Sequence, residues 1–264
     1  MEKLAKLEYF ARAGYLARAI VYFLLGYLTF ATSQAEGTAS VLDNIQDLPA
    51  GTVILVITGI GLAAYGFFRI YGAIIDIQDD GDDAKAYGKR VGHVASGIAH
   101  LILAFLAIRL ALGMGSSGGS GSAEATQKVL SFPGGQAVIA VVGACFLLAG
   151  FNQAVKAVTG KFRRLLSPDV PEWGVWMGRI GYAARAVVFA AIGWHLLRSA
   201  WAEDAQNVGF QASLQTLRET GWVYDAVAIG LLIFGLFSLV MARYRTIRDG
   251  ALKDRIRDGR VKLL

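Results

Sequence analysis

Six stretches of this chain run for about twenty residues each with hardly a charge in them: residues 13–32, 52–75, 91–112, 136–158, 180–200 and 222–242. At about 1.5 Å of rise per residue, roughly 20 apolar residues are needed to cross a hydrocarbon core of about 30 Å. No water reaches the backbone there, so a spanning segment must satisfy every N–H and C=O internally, as a helix does. The expected fold is an all-α integral membrane protein with six transmembrane helices. Composition points the same way. Hydrophobic residues make up 55% of the chain and charged ones only 17%, where a soluble domain carries about a quarter charged residues. All four prolines (Pro49, Pro133, Pro168, Pro171) fall between the runs, where a missing N–H breaks no span. The first run is longer than a signal-peptide core and has no small-x-small cleavage pattern, so it reads as an uncleaved span. Cys145 is the one cysteine, which excludes an intrachain disulfide.

Lysine and arginine are distributed unevenly among the connections. Lys3, Lys6 and Arg12 precede the first run; Lys85, Lys89 and Arg90 lie between the second and third. Lys156, Lys161, Arg163, Arg164 and Arg179 lie around the fourth connection, and eight basic residues follow from Arg243 to Lys262. The other three loops hold only Lys128 and Arg218. Positive residues stay on the cytoplasmic side, so both termini are expected inside. The tail from Arg243 carries three Asp against its eight basic residues and is expected to lie on anionic headgroups. Trp173, Trp176, Trp201 and Trp222 near the run ends fit an interfacial aromatic belt.

The chain also repeats itself. RAGYLARAIVYFLLG from Arg12, RVGHVASGIAHLILA from Arg90 and RIGYAARAVVFAAIG from Arg179 open the odd-numbered runs. PAG at Pro49, PGG at Pro133 and ETG at Glu219 precede the even-numbered ones, and Tyr65-Gly66-Phe67, Ala149-Gly150-Phe151 and Phe234-Gly235-Leu236 then match with a one-residue slip. Each unit crosses twice, so the three copies enter the membrane in the same direction. Three parallel two-helix repeats are expected, at residues 8–76, 87–160 and 174–248, forming a pseudo-threefold bundle with a basic tail at 249–264. The connections ASVLDNIQDLPAG, AEATQKVLSFPGG and QASLQTLRETG each suggest a short surface helix before the return span. GMGSSGGSGS from Gly113 is expected to be a flexible loop, and DIQDDGDD from Asp76 a solvated one without calcium-loop spacing.

The triplicated pair, opening with R-x-G-Y-x-A-R and closing with Y-G-F or F-G-L, resembles the bacterial domain-of-unknown-function family 1206 over about residues 8–248. The second copy departs from the pattern, with His93 for the tyrosine and Ser96 for the second arginine. The resemblance implies this fold in a bacterial cytoplasmic (inner) membrane and implies no activity.

Within the spans, positions four apart share a helical face: Gly14-Arg18-Tyr22-Gly26, Gly92-Ser96-His100-Ala104 and Gly181-Arg185-Phe189-Gly193. The small residues, with Gly66, Gly150 and Gly235 on the even runs, suggest seams of close helix packing. Arg18 and Arg185 lie about five residues inside the basic ends and Arg69 about six, roughly 8–9 Å deep. They either snorkel to the headgroups or point inward to hold an anionic group such as a lipid phosphate. Arg12, Arg90 and Arg179 would ring the basic mouth, as charge asymmetry alone demands or as a phosphate site.

His93, His100 and His195 differ in depth, so no haem is expected, and no metal, since no carboxylate accompanies them. No Ser-His-Asp, HExxH or Cys-His arrangement supports an enzyme. The leading expectation is a structural or accessory membrane protein that packs or binds partners through glycine-rich seams. The alternative is a small pore or carrier for anions or lipid headgroups, and a third is a redox protein using the histidines. Expected partners are membrane lipids, another membrane protein or a second copy, and not nucleic acid. The topology has a direct check: Ser117→Cys and Gly250→Cys should label from opposite sides with an impermeant thiol reagent. External labelling of Gly250→Cys in intact cells would reverse the orientation.

Overall fold

The structure, a computed structural model, describes residues 2–32, 42, 45–46, 49–76, 83–114, 121–202, 218 and 221–246. Among these residues every regular element is helical. The helices are α1 (Glu2–Thr32), α2 (Gly51–Ile74), α3 (Ala84–Ala111), α4 (Gly121–Leu130), α5 (Gly135–Thr159), α6 (Glu172–Ala202) and α7 (Trp222–Tyr244), with a short 3₁₀ turn at Lys161–Leu165. Five of them, α2, α3, α5, α6 and α7, are long and apolar enough to cross a membrane. The expected first span falls within α1, which is 31 residues long.

Local chemistry sets the helix boundaries. Asp83 caps α3, its carboxylate accepting from the Ala86 N–H at 2.7 Å. Gly160 closes α5 in the left-handed conformation, φ 64°. Glu172 opens α6 directly after Pro171, an acidic residue at the positive end of the helix dipole. The surface helix expected before the second return span is α4, which packs on α5. Its counterparts at 39–51 and 211–221, the run at 113–122, the acidic run at 76–83 and the tail at 249–264 lie wholly or largely outside the described residues. Asp76 is described, and it departs from the expected solvated loop: it is buried and forms an ion pair with Arg90 at 2.9 Å.

The helices pack as an arc in the order α3, α2, α1, α7, α6, α5. The most extensive contacts join α2 to α3, α5 to α6 and α7 to α1, each pairing the second helix of one repeat with the first helix of another. Glycine makes these seams close. A Cβ on Gly193 would stand 2.8 Å from the Gly143 carbonyl oxygen, and one on Gly66 would stand 2.9 Å from that of Gly97. A Cβ on Gly26 would stand 2.8 Å from the Ala228 carbonyl oxygen and one on Gly150 3.2 Å from that of Ala186, and Gly235 sits against the backbone of Phe23. The three junctions thus use repeat-equivalent positions.

Contacts within a repeat follow a knob-and-hole rule that the second copy breaks. Gly14 nests over Tyr65, and a Cβ on Gly181 would fall 2.7 Å from Cβ of Phe234. The equivalent partner of Gly92 is Ala149, too short to fill the hole. A Cβ on Gly92 would meet nothing within 4 Å, so Gly92 is not the packing contact its motif suggests. Among the described residues α3 and α5, the two ends of the arc, are not packed against each other. Their exposure agrees: 22% of the apolar stretch of α3 and of α5 is buried, against 61% in α7.

This contrast predicts opposite outcomes for one substitution. Gly235→Ala should destabilise the protein by about 1–3 kcal/mol, the usual cost of overpacking against an immovable backbone. Gly92→Ala should be neutral, or should stabilise by up to about 1 kcal/mol through helix propensity. Thermal unfolding in mild detergent measures both, and equal losses at the two sites would contradict the open junction.

Candidate functional site

Arg18 sits on α1 where α2 and α7 converge, and it is only 6% exposed. Its Nε donates to Ser238 Oγ at 3.1 Å and its Nη1 to the Tyr65 hydroxyl at 3.3 Å. Ser238 in turn donates to the Phe234 carbonyl at 2.9 Å, which fixes the hydroxyl with a lone pair toward the guanidinium. The cation lies over the rings of Tyr15 at 4.5 Å, Phe234 at 4.9 Å and Tyr65 at 5.7 Å. A desolvated cation–π contact contributes about 2 kcal/mol, so the rings replace part of the lost hydration. Snorkelling does not describe this side chain, whose head is held among three helices.

Arg185 on α6 repeats the arrangement. Its guanidinium lies 4.7 Å from the Phe234 ring centre, 4.9 Å from that of Phe189 and 5.4 Å from that of Tyr22. With its carbonyl oxygen turned toward α6, the Gln153 amide on α5 accepts from Nη1 at 3.2 Å and Nη2 at 3.3 Å. Arg18 and Arg185 therefore share the ring of Phe234. Two like charges this close repel by roughly 2 kcal/mol at an effective dielectric of 20. Arg69 on α2 joins them, and all three arginines bear electrostatically on Tyr65.

The donor inventory is incomplete. Arg18 Nη2, Arg69 Nε and Arg185 Nε are buried without a hydrogen-bond partner. Asp76 is the one carboxylate among the buried polar residues described, and it pairs with Arg90. The remaining inward groups add to the positive side or are neutral. Lys156 on α5 stands 5.7 Å from the Tyr182 ring centre. His100 packs against Tyr65, ring centres 4.7 Å apart, and its Nδ1 donates to the Ser96 carbonyl at 2.6 Å. Such a chamber has the chemistry to hold an anionic oxygen group.

The entry arginines have a different job from the one a phosphate ring would give them. Arg12 donates to the Arg245 carbonyl at 3.3 Å, just past α7. Arg179 donates to the Val158 carbonyl at 3.0 Å, in the last turn of α5. Arg90 reaches Asp76 just past α2. Each cation sits at the negative, C-terminal end of a neighbouring helix (α7, α5 and α2 respectively), where the last carbonyls lack intrahelical partners. They are helix caps spread over three junctions. Arg245 ties two helix ends together in the same way, donating to the Leu165 carbonyl at 3.0 Å.

Sequence reasoning identified Arg18, Arg69 and Arg185 but missed Tyr15, Tyr65, Tyr182, Phe234 and Lys156, whose polar or aromatic role appears only once the helices are paired. The signal for Ser238 and Gln153 was present, since both occupy the repeat position of Arg69. Among the described residues no group of three His, Cys, Asp or Glu side chains gathers to hold a metal. A separate surface cleft of about 270 Å³ lies between α5 and α6, lined by Gly160, Arg163, Glu172, Trp176 and Arg179. There Glu172 already pairs with Arg163.

Comparison with known proteins is consistent with the triplication. A family model described as Domain of Unknown Function (DUF1206) matches residues 13–76, 91–160 and 180–245. The chain is similar to "Uncharacterized protein YxxB" of Bacillus subtilis (strain 168), 29% identical over 251 residues, which cover 89% of this chain and 90% of the relative. No solved structure matches it.

The hydrogen bonds to Arg18 rank its partners. Ser238→Ala leaves a buried charge without its acceptor and should cost about 1.5–3 kcal/mol, the range for bonds to charged groups. Tyr65→Phe keeps the ring beneath the cation and should cost less. Unfolding midpoints in detergent give the order directly, and a Tyr65→Phe loss larger than that of Ser238→Ala would reverse this assignment.

Proposed function

Because this chain belongs to the family described as Domain of Unknown Function (DUF1206), whose description assigns no activity, we propose from geometry that it is a multi-pass membrane protein binding an anionic group between its helices. The ligands are Arg18, Arg69 and Arg185. One observation carries the reading: the Arg18 guanidinium is buried in the bundle with Nη2 unfilled, beside a second arginine and, among the described residues, with no carboxylate paired to either. Charged residues inside spans face a bundle interior and mark sites by default, and an uncompensated pair calls for an anion more strongly still.

The architecture proposed for the site is six spans, α1 included, with the three repeats arranged about a pseudo-threefold axis. The recurrence of glycine seams at equivalent positions supports it. The membrane is the bacterial cytoplasmic one with both termini inside, as the lysine and arginine asymmetry supports. In this orientation the arginines lie toward the cytoplasmic leaflet. The protein has no catalytic machinery in this reading; it holds or passes its ligand. The tight seams equally suit an accessory role alone, in which the arginines would be structural.

An experiment separates the two. In neutral detergent, inorganic phosphate or an anionic lipid should raise the unfolding midpoint of the wild-type protein. The double variant Arg18→Gln, Arg185→Gln should lose that increment. If the variant keeps it, the arginines are structural and the binding reading is wrong.

A further inference from the structure

Resting on the anion-site reading, we infer that the anion is the phosphate of an anionic phospholipid, which enters sideways through the open junction between α3 and α5. The junction is where the chamber meets the membrane. Its two helices are the ends of the packed arc, and the repeats on either side close the equivalent junction by seating Tyr65 over Gly14 and Phe234 over Gly181. Here the knob is Ala149, and the hole at Gly92 is empty to 4 Å.

The inner faces of the two unpaired helices lead to the arginines. On α3, His100 packs on Tyr65, the ring whose hydroxyl meets Arg18. On α5, Gln153 meets Arg185, and Lys156 reaches the Tyr182 ring. His93 of α3 interacts electrostatically with Arg69 and Lys156 and also with Asp76, so charged groups from α2 and α5 bear on the same side of α3. A phosphate drawn in from lipid would meet Lys156 and Arg69 first, then the unfilled donors of Arg185 and Arg18. Its acyl chains would stay in the apolar gap, where no polar group needs to follow.

Depth and charge favour a lipid over a dissolved ion. The arginines lie roughly 8–9 Å inside the basic end. Side chains of a helix lean toward its N-terminus, which carries the heads of Arg18 and Arg185 back toward the headgroup level. A lipid phosphate arrives at that level without leaving the bilayer. The headgroup must be net negative: among the described residues the one buried carboxylate, Asp76, already pairs with Arg90, and the arginines would repel a choline or ethanolamine cation.

The full-length protein in neutral detergent tests this, with unfolding midpoint as the readout. Phosphatidylglycerol should raise the midpoint by about 5 °C at a hundredfold excess over its dissociation constant. Phosphatidylcholine should give little, and inorganic phosphate less than phosphatidylglycerol at equal concentration. Gly92→Phe plugs the hole without touching the chamber and should abolish the phosphatidylglycerol increment while leaving the lipid-free midpoint unchanged. Arg69→Gln, at a side chain with Nε unfilled, should abolish it as well should the plugged variant fold poorly. Equal increments from both lipids would overturn charge recognition. An increment from inorganic phosphate that matches phosphatidylglycerol and survives Gly92→Phe would overturn the lipid and its route while leaving the anion site in place. No increment from any anion would overturn both.

Discussion

A guanidinium carries five donors in a fixed fork, and taking it out of water leaves each to be met by something in the fold. Arg18 obtains two oxygens and three aromatic faces, drawn from α1, α2 and α7. That one side chain therefore fixes how three helices meet. Ser238 is held by the Phe234 carbonyl, Tyr65 seats over Gly14, and Phe234 closes over Gly181 while supporting both arginines. Replace the charge and the reason for this particular set of rings at the basic end of the bundle disappears.

The repeats distribute charge by a rule that only the helix pairing makes visible. At the α7–α1 junction Arg18 faces Ser238; at the α5–α6 junction Arg185 faces Gln153. At the α2–α3 junction the roles are exchanged, with Arg69 on the even helix and Ser96 at the repeat position of Arg18. By repeat position each junction thus carries one arginine and one small or neutral polar residue. A second arginine at Ser96 would set two cations against each other in low dielectric, and losing Arg69 would leave that junction without one.

Much of the fold was legible in the sequence because spans, their ends and the triplication are local properties. Hydropathy marks where a helix crosses, and the motif from Arg12, Arg90 and Arg179 marks where each copy begins. Helix pairing was not legible in the same way. Gly14, Gly92 and Gly181 look alike in the motif, yet two of them receive an aromatic ring and one faces space. The distinction lies on the other helix, in Tyr65, Phe234 and Ala149, and comparing those three positions across the repeats would have exposed it. The direction of the interior arginines was not readable, since snorkelling and burial start from the same residue. The buried role of Asp76 was hidden for a similar reason: it opens a run of acidic residues that reads as solvated.

Six of the arginines toward the basic end divide by the groups that surround them. Arg12, Arg90 and Arg179 each end, through a terminal guanidinium nitrogen, on a carbonyl or a carboxylate at a helix terminus. Arg18, Arg69 and Arg185 each keep a buried nitrogen unmet, as the Nε atoms of Arg12 and Arg90 do, but Arg18 and Arg185 are surrounded by aromatic rings and neutral side-chain oxygens in place of a helix-end carbonyl or a carboxylate. Leaving a buried donor attached to a charge unmet costs at least about 1–3 kcal/mol, more than most single contacts return. Near the same helix ends Asp76 pairs with Arg90. That the chain brings three incompletely met arginines to one chamber, beside the one junction left open, is the physical reason to look there for a ligand.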